Sequence, residues 1–229
     1  MEDESAAFAP RPQLAFPPFA LFETIRFTPR AGFPDGFARL DRHLDRIAAS
    51  AAHFGFADPT AAAVAALRRE AALLAGEPQR WRVRLTAHAD GSAEVASALL
   101  PADASRVRTA ALARTPVDRN DVFLHHKTTH RAVYDARRAE RTHVDDVLLW
   151  NAEGELTEFT LGSLVVELGG RRWTPPRACG LLGGVFRAEL LERGLVAERV
   201  LRATELAGAR VWCVSSLREW VAVEMHARA

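Results

Sequence analysis

The hydrophobic pattern becomes regular at Phe19, where Phe-Ala-Leu-Phe-Glu-Thr-Ile-Arg-Phe reads as a strand through residue 27. Its aromatic and branched residues are closed off by Thr28-Pro29 and a Gly/Pro-rich turn through Gly36. Leu40, Leu44, Ile47, Ala48 and Ala51 then recur at helical spacing, which predicts a helix over 39–54 stopped by Gly55. Asp58-Pro59-Thr60 starts a second helix, rich in alanine and leucine, that ends at Gly76. Residues 81–86 alternate as a half-buried strand, and Asp90-Gly91 turns the chain into another near 94–98. A third strand is expected over 106–112, followed by a polar, proline-containing boundary at 115–121. Beyond it the pattern predicts a helix over 131–141, strands at 147–150 and 164–168, and a helix from Val185 to Arg193. Strand-like stretches at 196–201 and 209–214 and a last segment over 217–225 complete the chain. Strands and helices mixed without strict βαβ alternation predict an α+β fold in two lobes. The expected division is a poorly ordered tail at 1–18, a smaller domain at 19–113, a linker at 114–121 and a C-terminal domain at 122–229.

Composition narrows the partners more than the fold. With 48% hydrophobic and 26% charged residues the chain is of ordinary globular type. A net charge of +1 gives no reason to expect nucleic acid or an anionic membrane as partner. No apolar run approaches the ~20 residues of a membrane span. The start, MEDESAAFAPRPQ, lacks the basic and apolar regions of a signal peptide, so a cytoplasmic location is expected. Cys179 and Cys213 are too few for a disulfide framework and have no metal-ligand companion at short spacing, which makes them small core residues.

Candidate chemistry starts from a count. Lys127 is the only lysine, so every other one of the 30 Lys/Arg positions is arginine. A guanidinium stays protonated, whereas a desolvated ammonium can lose its proton and attack a carbonyl. Lys127 is therefore a candidate for imine formation, and a chance surface lysine in an arginine-biased chain is the rival explanation. If the carbonyl belongs to pyridoxal phosphate, an acid must face the ring nitrogen and donors must hold the phosphate. Glu158, at the start of an apolar strand, is a candidate acid; an exposed strand-end glutamate is the alternative. Gly183-Gly184 before a helix leaves the Val185 and Phe186 amides at its positive end, unless the pair is merely a turn. Ser215-Ser216 offers hydroxyls at a strand end, where serines also serve as helix caps. Arg46 shares a helix face with His43, although a solvated arginine is common there.

Taken in order, these segments resemble a known family. Glu23-Thr24-Ile25-Arg26, His43-Leu44-Asp45-Arg46-Ile47, His126-Lys127-Thr128-Thr129-x-Arg131, Gly154-Glu155-Leu156-Thr157-Glu158, Gly180 through Arg187 and Ser216-Leu217-Arg218 are similar to the class IV pyridoxal-phosphate aminotransferases. The His-Lys-Thr-Thr form with Tyr134 downstream most resembles the aminodeoxychorismate lyase branch. The resemblance implies the two-lobed fold of the D-amino acid aminotransferases (fold type IV), with pyridoxal 5′-phosphate between a small N-terminal α/β lobe and a larger cofactor-binding mixed-sheet lobe. It implies that Lys127 carries the cofactor and Glu158 faces the pyridine nitrogen, with Arg46, the Val185 and Phe186 amides, Ser215 and Ser216 around the phosphate. By position, Arg84 and Arg218 are candidates for substrate carboxylates and Thr24 for a catalytic hydroxyl; on an alternating strand Arg84 can equally face solvent. A homodimer acting on a small amine is implied. The lyase activity would release pyruvate and 4-aminobenzoate, a folate precursor. The alternatives are transamination of branched-chain or D-amino acids, or a non-catalytic binding subunit of the same fold. Three positions depart from the family pattern. His130 and Ser163 stand where asparagine is common, and Glu219 stands where glycine is common, adding an anion near a site expected to take a dianion.

Overall fold

The computed structural model describes residues 18–101 and 107–226, so the expected tail over 1–18 lies, but for its last residue, outside the described residues. The chain runs β1 (Leu21–Phe27), α1 (Leu40–Phe54), α2 (Thr60–Leu73), β2 (Trp81–Ala87) and β3 (Ala93–Leu99). These make the smaller lobe, an antiparallel sheet of order β1-β2-β3. One sheet face is apolar: Leu21, Ile25, Phe27, Val83, Leu85 and Ala87 pack with Leu40, Ile47 and Ala51 of α1 and with Ala63, Leu67 and Ala71 of α2. Helix α1 ends where Gly55 takes the left-handed conformation at φ 71° and its N–H reaches the Ala51 and Ala52 carbonyls. The other sheet face is not covered by helices. Register brings Thr24 opposite Arg84, and Arg84 opposite Ala96, so these side chains share that open face with Phe22, Arg82 and Ala98.

The rest of the chain supplies β4 (Arg108–Leu112), α3 (Val122–His125), α4 (Ala132–Ala139), β5 (Asp146–Trp150), β6 (Leu156–Phe159), β7 (Ser163–Leu168), β8 (Arg171–Thr174), α5 (Val185–Glu192), β9 (Ala197–Glu198), β10 (Arg210–Ser215) and β11 (Glu219–Met225). They form one sheet ordered β10-β11-β4-β5-β6-β7-β8-β9, and a further β10–β7 pairing closes six of the strands into a ring. Pairing is parallel for β11–β4, β4–β5 and β8–β9 and antiparallel elsewhere. Leu112, Leu148, Leu156, Phe159, Leu164, Val166, Val211 and Cys213 fill one buried cluster. Both cysteines are free and buried. No described helix is long and apolar enough to cross a membrane.

The fold is therefore two-lobed, with mixed helix and strand, as the pattern predicts. One strand changes lobes. β4, which the sequence reading groups with the smaller domain, is hydrogen-bonded between β11 and β5 of the larger sheet. Its partners lie at the far end of the chain, beyond the reach of any local pattern. The stretch read as a strand over 196–201 pairs only at Ala197–Glu198. Ion pairs join the lobes: Arg39 and Arg42 of the smaller lobe meet Glu189 and Glu192 of α5.

Gly162, in the turn between β6 and β7, lies so close to β10 that an added Cβ would sit 2.7 Å from the Val214 carbonyl oxygen and 2.8 Å from Cys213 Sγ. Gly162→Ala should therefore force these strands apart and destabilise the protein by about 1–3 kcal/mol. A urea titration checks this. The midpoint should fall with an unchanged slope, whereas an unchanged midpoint would show that the ring yields freely there.

Candidate active site

Lys127 follows α3 on a stretch that pairs with the smaller sheet. The Phe22 N–H donates to the Lys127 carbonyl at 3.0 Å, and the Thr129 N–H donates to the Ala20 carbonyl at 2.8 Å. The Thr129 hydroxyl accepts from the Ala20 N–H at 2.9 Å. This clamp holds Nζ 4.5 Å from the centre of the Phe22 ring. Lys127 lines a cavity of about 540 Å³ between the open face of the small sheet and the end of the β-ring. Among the described residues its amine has no hydrogen bond or ion pair. Burial, reinforced by Arg46, lowers its pKa to about 8.

Glu158 lines the same cavity and is 4% exposed, so the strand-end alternative does not hold. Its Oε1 accepts from the Tyr134 hydroxyl at 2.8 Å and from the Leu182 N–H at 3.1 Å, while Oε2 accepts nothing from the described residues. Burial raises its pKa to about 7, against those two donors and the charges of Lys127 and Arg131. Arg131 is set by its bond to the Thr160 carbonyl at 2.8 Å and by the Tyr134 ring beneath it.

A second group of donors converges on another part of the cavity. Helix α5 starts after Gly184 without a side-chain cap, and Gly184, Val185 and Phe186 all line the cavity. Its first N–H groups have no carbonyl within the helix to reach. A Cβ on Gly184 would stand 2.6 Å from Ser163 Oγ, so glycine here and the small serine opposite let the helix start close to β7. This gives the Ser163 departure a packing reason. Ser215 and Ser216 follow β10 and line the same region. Arg46 donates from Nε to Glu23 Oε1 at 2.7 Å, from Nη2 to Glu23 Oε2 at 2.5 Å and from Nη1 to the Gly183 carbonyl at 3.0 Å. These bonds leave two of its five N–H groups for a ligand.

All ten residues singled out from the sequence line this one cavity: Thr24, Arg46, Arg84, Lys127, Glu158, Val185, Phe186, Ser215, Ser216 and Arg218. Arg84 is exposed by its overall surface, yet its guanidinium lies over the Phe22 ring at 4.1 Å on the cavity wall. Glu219 does not line the cavity. Its carboxylate pairs with Arg26 at 2.8 Å and Arg39 at 3.1 Å, so it adds no free anion to the site. It sits at φ 59°, a backbone state that favours glycine, and its ion pairs across the lobes offset that strain. His130 packs its ring 4.1 Å from the Phe123 ring. Sequence reasoning did not find the roles of Tyr134 and Leu182 at Glu158, of Glu23 and His43 around Arg46, or of Arg82 and Arg108 in the wall. The alternation of arginines along β2 was the available signal for Arg82.

The donor set fits pyridoxal phosphate. There is a buried amine for its aldehyde and a carboxylate with a vacant oxygen for its ring nitrogen. Helix amides, hydroxyls and a guanidinium with N–H groups to spare can meet its phosphate.

Comparisons with known proteins agree. The model of the family described as amino-transferase class IV matches residues 20–225. A Schizosaccharomyces pombe protein, provisionally named aminodeoxychorismate lyase, is 30% identical over 165 residues, covering 69% of this chain and 70% of its own. A solved structure from Mesorhizobium loti, provisionally named an amino-acid aminotransferase, is 36% identical and superposes at TM-score 0.81, covering 91% of this chain and 100% of that one. A Mycobacterium tuberculosis aminotransferase of hypothetical assignment, in its pyridoxal-phosphate-bound form, shares the fold at 24% identity and TM-score 0.72, covering 90% of this chain and 80% of that one.

A pKa of about 8 leaves about one in ten Lys127 amines neutral at pH 7, against about one in three thousand at the ordinary 10.5. The rate at which apoprotein reacts with pyridoxal phosphate, followed by its visible absorption, should rise with pH through about 8 and then level off. A rise continuing to about 10.5 would mean an amine in ordinary solvent.

Proposed function

Because the chain belongs to the class IV aminotransferase family and is a pyridoxal-phosphate-dependent lyase or aminotransferase, we propose that it is an aminodeoxychorismate lyase. The observation that carries this choice is the charge of the cavity wall. Glu158 is the only carboxylate among the described residues that line it. Arg82, Arg84 and Arg108 also line it, and none has a carboxylate partner among the described residues. Arginines crowded without counterions repel one another. Burial and the neighbours Arg131 and Arg82 lower the Arg84 pKa, which registers this crowding. Such a wall suits a substrate with two carboxylates, which aminodeoxychorismate has. A branched-chain substrate would call for apolar lining instead. The His-Lys-Thr-Thr segment and the relative from S. pombe support the same choice.

In this reading Lys127 and Glu158 hold the cofactor from its aldehyde and ring sides, with Arg46, the Val185 and Phe186 amides, Ser215 and Ser216 at its phosphate. When bound, pyridoxal phosphate would supply an electron sink for the carbon that bears the substrate's amine. Lys127 Nζ, free once the substrate's amine has displaced it and made less basic by burial, takes the proton from that carbon. The carbon–oxygen bond to the enolpyruvyl group then breaks, with its electron pair leaving on oxygen. A proton returned to the methylene carbon of the departing enolate gives pyruvate, and the ring left behind is 4-aminobenzoate. Atoms balance without an oxidant or second substrate. Arg84 and Arg218 hold the carboxylates, with Arg82 and Arg108 beside them, and Thr24 offers a hydroxyl beside the reacting centre. The enzyme works as a homodimer.

Transamination is the second reading, favoured by the M. loti relative's name. Incubating the purified holoenzyme with aminodeoxychorismate separates the two. The lyase forms equal amounts of 4-aminobenzoate and pyruvate without an added keto acid. Amino transfer that depends on a keto acid, with no 4-aminobenzoate, would reverse the assignment. Arg84→Ala should raise KM about tenfold, the loss expected for one charge-assisted bond. An unchanged KM would place Arg84 outside substrate binding.

A further inference from the structure

Between the donors around the cavity and the core of the smaller lobe runs a buried chain of hydrogen bonds. Glu23 Oε2 meets His43 Nδ1 at 2.6 Å, and His43 Nε2 meets Ser216 Oγ at 2.8 Å. Glu23 and His43 are each 1% exposed and Ser216 is 7% exposed. Three elements contribute: β1, α1 and the turn after β10. We infer that His43 is a positioning residue that controls the Ser216 hydroxyl hydrogen, and that it takes up one proton when a dianion enters the donor cluster at Ser216.

Burial works against the Glu23 charge, but the two Arg46 bonds and His43 hold its pKa at about 2, so Glu23 is ionised and can only accept. His43 Nδ1 must therefore carry a hydrogen. If the ring is neutral, Nε2 has none and accepts the single hydrogen of Ser216. The serine then presents only lone pairs to the cavity, which repel an anion's oxygen. If the ring is protonated, Nε2 donates to Ser216 Oγ, and the hydroxyl hydrogen is free to point at the ligand. The arrangement thus has two states, one matched to a cavity without an anion and one to a bound dianion.

The charged groups around His43 fix which state prevails. Glu23 favours the charged ring, while Arg46 and Lys127 oppose it. Burial is the largest influence and favours the neutral ring, so the balance lowers the His43 pKa. Because Glu23 is matched by Arg46, the pair brings little net charge to the cluster. A phosphate dianion beside Ser216 shifts the balance toward imidazolium and gains a donor by doing so. Binding and protonation are then linked, each favouring the other.

This inference rests on the assignment of the phosphate to the Arg46, Val185/Phe186 and Ser215–Ser216 cluster, and the test separates the two. Inorganic sulfate is a suitable probe, since it is a dianion that does not itself titrate near neutrality. Its affinity for the apoprotein, measured by calorimetry across neutral pH and in buffers of different ionisation enthalpy, should fall about tenfold per pH unit above the His43 midpoint, with about one proton taken up per sulfate. In apoprotein labelled with ¹⁵N-histidine, the His43 ring nitrogens should change from the neutral Nδ1–H form to the doubly protonated form as sulfate binds. His43→Gln should abolish the uptake, and Ser216→Ala should reduce it if the glutamine variant fails to fold. Sulfate that binds in competition with pyridoxal phosphate while His43 stays neutral would overturn the inference and leave the phosphate assignment standing. Proton uptake that survives His43→Gln but vanishes in Lys127→Met would overturn it in favour of the lysine. Sulfate that fails to compete with pyridoxal phosphate would overturn the phosphate assignment and the inference together.

Discussion

A short backbone pairing between residues 20–22 and 127–129 is the constraint on which the rest of the site depends. It sews the segment that follows α3 onto the edge of the smaller sheet, and so fixes the chain's single lysine at the seam between the lobes. Neither lobe alone would make the site. The small sheet contributes a face that α1 and α2 leave open, and the β-ring contributes Glu158, Ser215, Ser216 and the start of α5. The pairing matters because a desolvated lysine gains reactivity only while water is kept from it. A loosened segment would let the amine return to solvent and regain its proton.

Charge is divided along the same seam. Acids that could compete with an anionic ligand are occupied by arginines away from the cavity: Glu219 by Arg26 and Arg39, Glu189 by Arg39, and Glu192 by Arg42. Glu23 is held by Arg46 and His43. The pairs of Glu219, Glu189 and Glu192 also cross between the lobes and help to set their relative position. Solvent-exposed pairs contribute little to stability individually, so the consequence here is chiefly electrostatic. Among the described residues the cavity is left with one carboxylate, Glu158, facing an excess of cations. That carboxylate is buried with one oxygen unoccupied, an arrangement that is costly unless a cation is to meet it.

Much of this was legible in the chain because it was local. Helix α1 is readable from the spacing of Leu40, Ile47 and Ala51 and from its glycine stop, and Lys127 stands out by its solitude among arginines. The candidate residues could be gathered because the motif segments keep a recognisable order, although periodicity alone would not have brought them together. What escaped the sequence depends on distant partners. β4 belongs to the larger sheet because of β11 and β5, and Arg84 faces a cavity because a second lobe stands opposite it. Glu219 looked like an intruding anion until its arginine partners on the other lobe were known. The Glu23–His43–Ser216 chain links residues more than 170 positions apart along the sequence, with |i−j| of 173 between His43 and Ser216, and no spacing rule would propose it.

The central claim is that one sheltered amine, that of Lys127, carries the cofactor. Reducing the holoenzyme with borohydride and mapping the modified peptide by mass spectrometry tests it directly. The account predicts the pyridoxyl group on the peptide containing Lys127, with Lys127→Ala left unmodified. A label on the N-terminal amine, or one that persists in that variant, would contradict it.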